Sequence, residues 1–227
     1  MLPIGDDDSD RRTIPFVTYA LVAINVLVFV LLELPQGGNL DAFLNRWGTI
    51  PAQIVAGQGL ITLITSMFLH GGWLHLGSNM LFLWIFGDNV EDAFGHVLYL
   101  VFYFVCGLAA SLAQVLIDTT SNVPGVGASG AIAGVLAGYI VLFGSRPVRV
   151  LLGGVITSVP SYVMIGLWIV TQLLSGFGSL GDTASGGVAY WAHIGGFFAG
   201  LVLTFLLRGF TRRQSAGAAV SRRSMLR

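Results

Sequence analysis

A serine and a histidine in this chain stand beside regular stripes of small residues. Ser129 precedes Gly130, Gly134 and Gly138, and His193 follows Ala192, which opens a stripe with Gly196 and Gly200. Fourth positions share one helix face, and small residues at that spacing let two membrane helices approach closely. If the stripes pack together at matching depth, a hydroxyl and an imidazole come within hydrogen-bond reach. That is the minimum arrangement for activating a serine nucleophile. His193 would take the proton from Ser129 Oγ and return it to a leaving amine. His75 and Asn79 are four apart and share a face; with the Ser129 backbone N–H they would donate to a developing oxyanion. Gly127 and Gly130 would keep side chains clear of the backbone beside the nucleophile. His70 has a structural reading, tying a loop to the start of the helix that carries His75. No Asp or Glu is expected in the outer half of any span, so the reading is a dyad. His70, His75 and His193 lack a His-Glu-x-x-His spacing or a carboxylate partner, so neither a metal nor a cofactor is expected.

The elements that must position these groups follow from composition. The chain is 55% hydrophobic and 10% charged, with a mean hydropathy of +0.81. Soluble domains carry about 25% charged residues, so this is an integral membrane protein. It offers no basic surface for nucleic acid, and its single cysteine, Cys106, allows no disulfide within the chain. The expected architecture is all-α with six spans: from about Thr13 to Leu34, from about Trp73 to Phe86, Val97–Ile117, Val126–Phe143, one within Val150–Leu174, and Val188–Leu207. Residues 1–13 read as a polar cytoplasmic tail and 14–208 as one six-span domain. Residues 35–60 are too polar to span and suit the interface. Asp88, Glu91 and Asp92 read as the solvated start of the following helix. Residues 175–187 read as a flexible Gly/Ser loop, and 209–227 as a disordered cytoplasmic tail. Six spans put both termini on one side. Ten of the eleven arginines then fall on that side, with only Arg46 opposite, which makes it the cytoplasm. Ser129, His193, His75 and Asn79 then lie at similar depth, roughly 5–10 Å below the outer boundary at about 1.5 Å per residue. Intramembrane polar groups are costly and face one another or water, so four at one level predict a shared cavity.

Gly127-Ala128-Ser129-Gly130, Ala192-His193-Ile194-Gly195-Gly196 and His70 with His75-x-x-x-Asn79 resemble, in order and spacing, the rhomboid family of intramembrane serine proteases, prokaryotic type. The likeness extends over residues 14–208. It implies Ser129 as nucleophile, His193 as base, His75 and Asn79 at the oxyanion, 35–60 as an interfacial loop and 175–187 as a cap. It further implies transmembrane protein substrates cut near the extracytoplasmic side, and a bacterial or archaeal plasma membrane. Many members carry an aromatic residue four after the nucleophile, where this chain has Ala133; Phe197 or Trp191 is then expected to orient His193. Two other classes fit composition: a catalytically inactive rhomboid-like protein that binds membrane clients, and a transporter, which should show matching halves. No matching halves are visible.

Overall fold

A computed structural model describes residues 1–179 and 188–211. Most of these are helical. The first helix, α1 (Phe16–Val28), continues through a π turn at Phe29–Glu33 and a 3-10 turn at Leu34–Asn39 into α2 (Leu40–Trp47), with Gly37 at φ 50° marking the kink. Two short helices, α3 (Pro51–Val55) and α4 (Thr62–Thr65), follow in the polar connection. Then come α5 (Trp73–Phe94), α6 (His96–Ile117) and α7 (Ser129–Phe143). Past a β-hairpin, α8 (Ser161–Gly178) and α9 (Tyr190–Leu207) complete the bundle.

Four helical stretches are long and apolar enough to cross a membrane: Phe16–Trp47, His96–Ile117, Ser161–Gly178 and Tyr190–Phe210. The helix carrying Ser129 is apolar but has only 15 residues. The 22-residue α5 contains Asp88, Glu91 and Asp92.

The small-residue stripes meet as their spacing predicts. A Cβ on Gly196 would lie 2.0 Å from Gly130 O, and one on Gly200 would lie 2.4 Å from Gly134 O. Contacts therefore advance together along α7 and α9, so the two helices run parallel. Helix α6 fills the third side in the opposite direction. Added Cβ atoms at Gly130, Gly134 and Gly138 would lie 2.5 Å from Ala110 Cβ, 2.4 Å from Cys106 Cβ and 3.3 Å from Phe102 Cζ. Lipid offers no hydrophobic drive for helix association, so this closeness supplies stability through dispersion. Tyr99, Phe102, Tyr103, Leu136 and Tyr139 complete a core that is almost wholly buried.

The described fold is not all-α. Residues expected to begin the fifth span form a hairpin, β2 (Pro147–Leu152) and β3 (Val155–Pro160). Its turn is Gly153-Gly154, with φ of 58° and 86°, the pair of positive φ values that two-residue hairpin turns require. The expected polar tail contributes β1 (Leu2–Gly5), which pairs antiparallel with β2, Leu2 opposite Leu151. The strand order is β1-β2-β3. Val148 and Val150 are fully buried, while Leu151 faces outward, the period-2 pattern of a half-buried strand.

The acidic group in α5 is not a solvated helix start. Glu91 is fully buried and accepts hydrogen bonds from Val17 N (2.9 Å), Thr18 N (2.7 Å) and Thr18 Oγ1 (2.7 Å), with His96 Nδ1 at 2.6 Å. It thereby serves the first-turn N–H groups of α1, which have no partners within their own helix. Asp92 Oδ1 accepts from Thr13 N at 2.8 Å and Thr13 Oγ1 at 2.6 Å, and Asp88 pairs with Arg11. Residues 1–13 are thus packed against the bundle. Tyr139 donates to Asp6 at 2.5 Å, and Arg146 donates to Asp7 O (2.6 Å), Asn89 Oδ1 (2.7 Å) and Asp10 Oδ2 (3.0 Å). Carboxylate oxygens of Asp6, Asp8 and Asp88 lie within 4.8 Å of one another; Arg11 and Asn89 supply donors to them. Of the expected loop 175–187, Ser175–Gly178 belong to α8, and 180–187 lie outside the described residues, as does 212–227 of the expected tail.

Candidate active site

Ser129 is the first residue of α7, not one turn inside it. The preceding loop is tied down from behind. Thr49 and Gly125 exchange backbone hydrogen bonds at 2.9 and 2.8 Å, and Gly127 N donates to Ser66 O at 2.9 Å. The connection between α2 and α5 therefore anchors the turn presenting the serine. As a first-turn residue, Ser129 offers a backbone N–H with no acceptor inside its helix.

His193 lies one turn into α9, 8% exposed, and its Nε2 is 2.7 Å from Ser129 Oγ. The parallel run of α7 and α9 brings the two together from the same end. The opposite ring nitrogen, Nδ1, is 2.7 Å from Gln172 Oε1 on α8. Trp168, one turn before Gln172, packs on the imidazole with ring centroids 5.7 Å apart. These two residues hold the ring, in place of Phe197, which is buried in the core, and Trp191, which packs edge-on against Phe177. Gln114 adds a further fixing contact by accepting from Ala192 N at 3.3 Å.

His75 approaches from α5. Gly71 N donates to its Nδ1 at 3.3 Å, which leaves Nε2 as the protonated nitrogen of the neutral ring. That Nε2 lies over Gly127, where an added Cβ would be 2.8 Å from it and 3.5 Å from Ser129 Oγ. Gly127 also has φ +127°, so both the backbone and the His75 ring exclude a side chain there. Asn79 is buried one turn further along α5, and its Nδ2 has no hydrogen-bond partner among the described residues. It is a free donor, with no bond to Ser129. Gly130 serves packing against Ala110 rather than clearance around the nucleophile.

His70 reaches the site only through His75, their rings 5.0 Å apart and edge-to-face. Its backbone N donates to Glu33 Oε2 at 2.9 Å. Glu33 is 1% exposed, so a buried carboxyl stands in the π turn that continues α1, in a part of the span where none was expected. The expected first span, running to about Leu34, already contained Glu33, and the expectation overlooked it; the π turn at Phe29–Glu33 carries the carboxyl to the His70 loop. Glu33 is not bonded to His193, and the ring partner there is an amide. Gln172 and Trp168 left a signal in the sequence: an amide inside an apolar helix, four residues after a tryptophan, invites a polar neighbour.

Beside Ser129 a cavity of about 480 Å³ opens, lined among others by Gly127, Met67, Ser111, Gln114 and Trp191. Chemically, the arrangement offers a nucleophile hydrogen-bonded to a base, a positioned imidazole N–H beside it, a helix N-terminus, and room for a reacting group.

These features define a class: a helical membrane protein with a serine–histidine pair set into its bundle. The Rhomboid domain family model matches residues 57–210, and the chain belongs to the rhomboid family. It is similar to the rhomboid protease GluP of Bacillus subtilis (strain 168), 31% identical over 189 residues, covering 83% of this chain and 35% of that protein. It is also similar to Rhomboid protein 1, mitochondrial, of Saccharomyces cerevisiae, 30% identical over 203 residues with 87% and 55% covered. RHOMBOID-like protein 5 of Arabidopsis thaliana is 32% identical over 171 residues, with 72% and 49% covered. The chain thus spans between 35% and 55% of the length of these relatives.

Proposed function

We propose that this chain is an intramembrane serine endopeptidase that cuts single-span membrane proteins near the extracytoplasmic side of their transmembrane segment. The observation that carries the reading is the 2.7 Å contact between His193 Nε2 and Ser129 Oγ beside a cavity. Ser129 Oγ attacks the scissile carbonyl as His193 takes its proton, and the amine departs with that proton. His75 Nε2–H, the Ser129 N–H and the Asn79 amide stabilise the oxyanion. Water then repeats the cycle on the acyl-enzyme.

The bundle has six spans and both termini in the cytoplasm. The arginine distribution supports this orientation, as does the docking of β1 at the end of α7 remote from Ser129. A 15-residue helix is about 22 Å long at about 1.5 Å per residue, short of the roughly 30 Å hydrocarbon layer. With its C-terminus at the cytoplasmic boundary, α7 stops inside the layer and sets Ser129 below the outer surface. A substrate helix must unwind to offer a carbonyl there, so helix-weakening residues in the outer part of its span favour cleavage. The membrane is the plasma membrane of a bacterium or archaeon, the kind of membrane the resemblance implies.

The test uses the full chain in lipid vesicles with a single-span reporter. Wild type is expected to release the reporter's ectodomain and to label with a fluorophosphonate, and Ser129→Ala to do neither. Cleavage that persists in Ser129→Ala, or product masses that place the cut in the cytoplasmic half of the span, would overturn the reading.

A further inference from the structure

We infer that Gln172 is a positioning residue that selects the His193 tautomer competent to accept a proton; the inference rests on the reading of His193 as general base. A neutral imidazole carries one proton, on Nδ1 or on Nε2. Only the Nδ1–H form leaves a lone pair on Nε2 facing Ser129 Oγ. The ring by itself carries no device for that choice, and Ala133, Phe197 and Trp191 do not supply one.

Hydrogen-bond directions along α8 make the choice. Thr171 Oγ1 donates to Trp168 O at 2.6 Å, so its own proton is committed and its lone pairs can accept. Gln172 Nε2 donates to Thr171 Oγ1 at 3.3 Å, which turns the amide so that Oε1 faces the imidazole. Oε1 carries no proton, and it lies 2.7 Å from His193 Nδ1. Nδ1–H must therefore donate, and Nε2, 2.7 Å from Ser129 Oγ, must accept. Donors thus run in one direction from the serine through the histidine and the amide to a backbone carbonyl. A reversed amide would set an N–H against Nδ1, force the proton onto Nε2 and leave the Ser129 hydroxyl without an acceptor. Trp168 and Gln172 share a face of α8 at i and i+4, so one helix supplies both the wall behind the ring and the acceptor at its far nitrogen. The device differs in one chemical respect from a serine–histidine–carboxylate triad. The amide orients the ring without adding negative charge to stabilise the imidazolium.

Two measurements on the full-length protein test this. In detergent micelles, ¹⁵N shifts of labelled His193 are expected to report the Nδ1–H tautomer in wild type and a mixture in Gln172→Leu. With a single-span reporter, Gln172→Leu should lower kcat about 10–100-fold, by analogy with the loss of partners that orient metal-bound histidines, with KM unchanged. Gln172→Glu keeps an acceptor oxygen. It should recover most of kcat and move the acidic limb of the kcat/KM profile to higher pH, because a carboxylate makes the base stronger. An Nε2–H tautomer in wild type, a wild-type kcat in Gln172→Leu, or a Gln172→Glu protein as slow as Gln172→Leu would each overturn the assignment. Failure of the hydrolase reading looks different: neither cleavage nor fluorophosphonate labelling in wild type. The ¹⁵N shifts would then still decide the tautomer.

Discussion

The two ends of the α7–α9 pair treat charged groups differently. At the end remote from Ser129 these are satisfied across long sequence separations, although the Tyr99 and Thr204 hydroxyls there have no hydrogen-bond partner among the described residues. Glu91 accepts three hydrogen bonds from the start of α1, and Arg146 reaches Asp7, Asn89 and Asp10. At the Ser129 end, a fully buried His70 ring, Glu33 Oε1, Asn79 Nδ2 and Trp191 Nε1 have no hydrogen-bond partner among the described residues, and the cavity lies there. Burying a polar group without a partner costs free energy. The charged network fastens the helices at the remote end; on the proposed function, the Ser129 end keeps the Asn79 amide and the His75 N–H available to an oxyanion.

The sharpest way to break that contrast is to remove the pair at the open end. Ser129→Ala and His193→Ala should each cut reporter cleavage by about 10³-fold or more, and the double variant should be no worse than either single one, because such groups act as a unit. Thermal unfolding in detergent should change far less than cleavage, since the glycine contacts along α7 and α9, and not this pair alone, hold the helices together. Additive losses in the double variant would argue against a joint role.

The mirror experiment is Glu91→Ala, which leaves the N–H groups of Val17 and Thr18 buried without acceptors. A loss of about 1–3 kcal/mol or more is expected, the scale for leaving buried donors unsatisfied. Glu91→Gln keeps one acceptor oxygen and should lose less. Below the lowered unfolding midpoint, fluorophosphonate labelling of Ser129 should persist. Labelling that disappears while the variant is still folded would show the two ends to be coupled.

Asn79→Ala probes the donors left in readiness. Removing one such donor costs at most about 10²–10³ in rate, so the variant should be slow in single-turnover cleavage but not dead, with unchanged thermal stability. A wild-type single-turnover rate would remove Asn79 from the transition state, and a lowered unfolding midpoint would make it a fastening residue like Glu91.

The open end was the more legible in the sequence. Ser129, His193, His75 and the stripes of Gly130/Gly134/Gly138 and Ala192/Gly196/Gly200 are local spacings, and helix periodicity converts spacing into a shared face without knowledge of the fold. The partners fixed by tertiary arrangement were not legible in this way. Gln172 reaches His193 only because α8 packs beside α9, and Glu33 reaches His70 only because a π turn prolongs α1. The fastened end was misread for another reason. Its residues 150–160 pass as the start of a span by composition, and the alternation of Val148 and Val150 with the Gly153-Gly154 turn was the overlooked sign of a hairpin. Acidic residues near both ends of the apolar runs look solvated by default, so the pairing of Asp88, Glu91 and Asp92 with residues 11–18 was hidden until α1 and α5 were seen together.

The smallest expected effect lies in the strap at the fastened end and is a matter of pH. Burial, the largest influence, pushes the Asp6 carboxyl up to about 6 from an ordinary value of 3.8, against the opposing hydrogen bond from Tyr139; the Asp8 carboxylate raises it further and Arg146 lowers it. Asp88 also borders this cluster, and Arg11 reaches it through Asp88 and Asp8. A carboxyl with a raised folded pKa binds more protons docked than released, so docking must strengthen as the proton is taken up. The stabilisation is fully present below the ordinary value of 3.8 and is lost as pH rises through about 6. Residues 2–10 should therefore show slower amide hydrogen exchange near the acid end of that window than above it, after correction for the intrinsic pH dependence of exchange. Asp6→Asn removes the charge while keeping an oxygen that can accept from Tyr139, so it should protect the strap above pH 6 and flatten the profile. The Ser129 end should not respond to this substitution, and fluorophosphonate labelling measures that directly. A strap whose protection rises with pH in wild type, or an Asp6→Asn profile as steep as wild type, would assign the pH dependence to another carboxylate of the cluster.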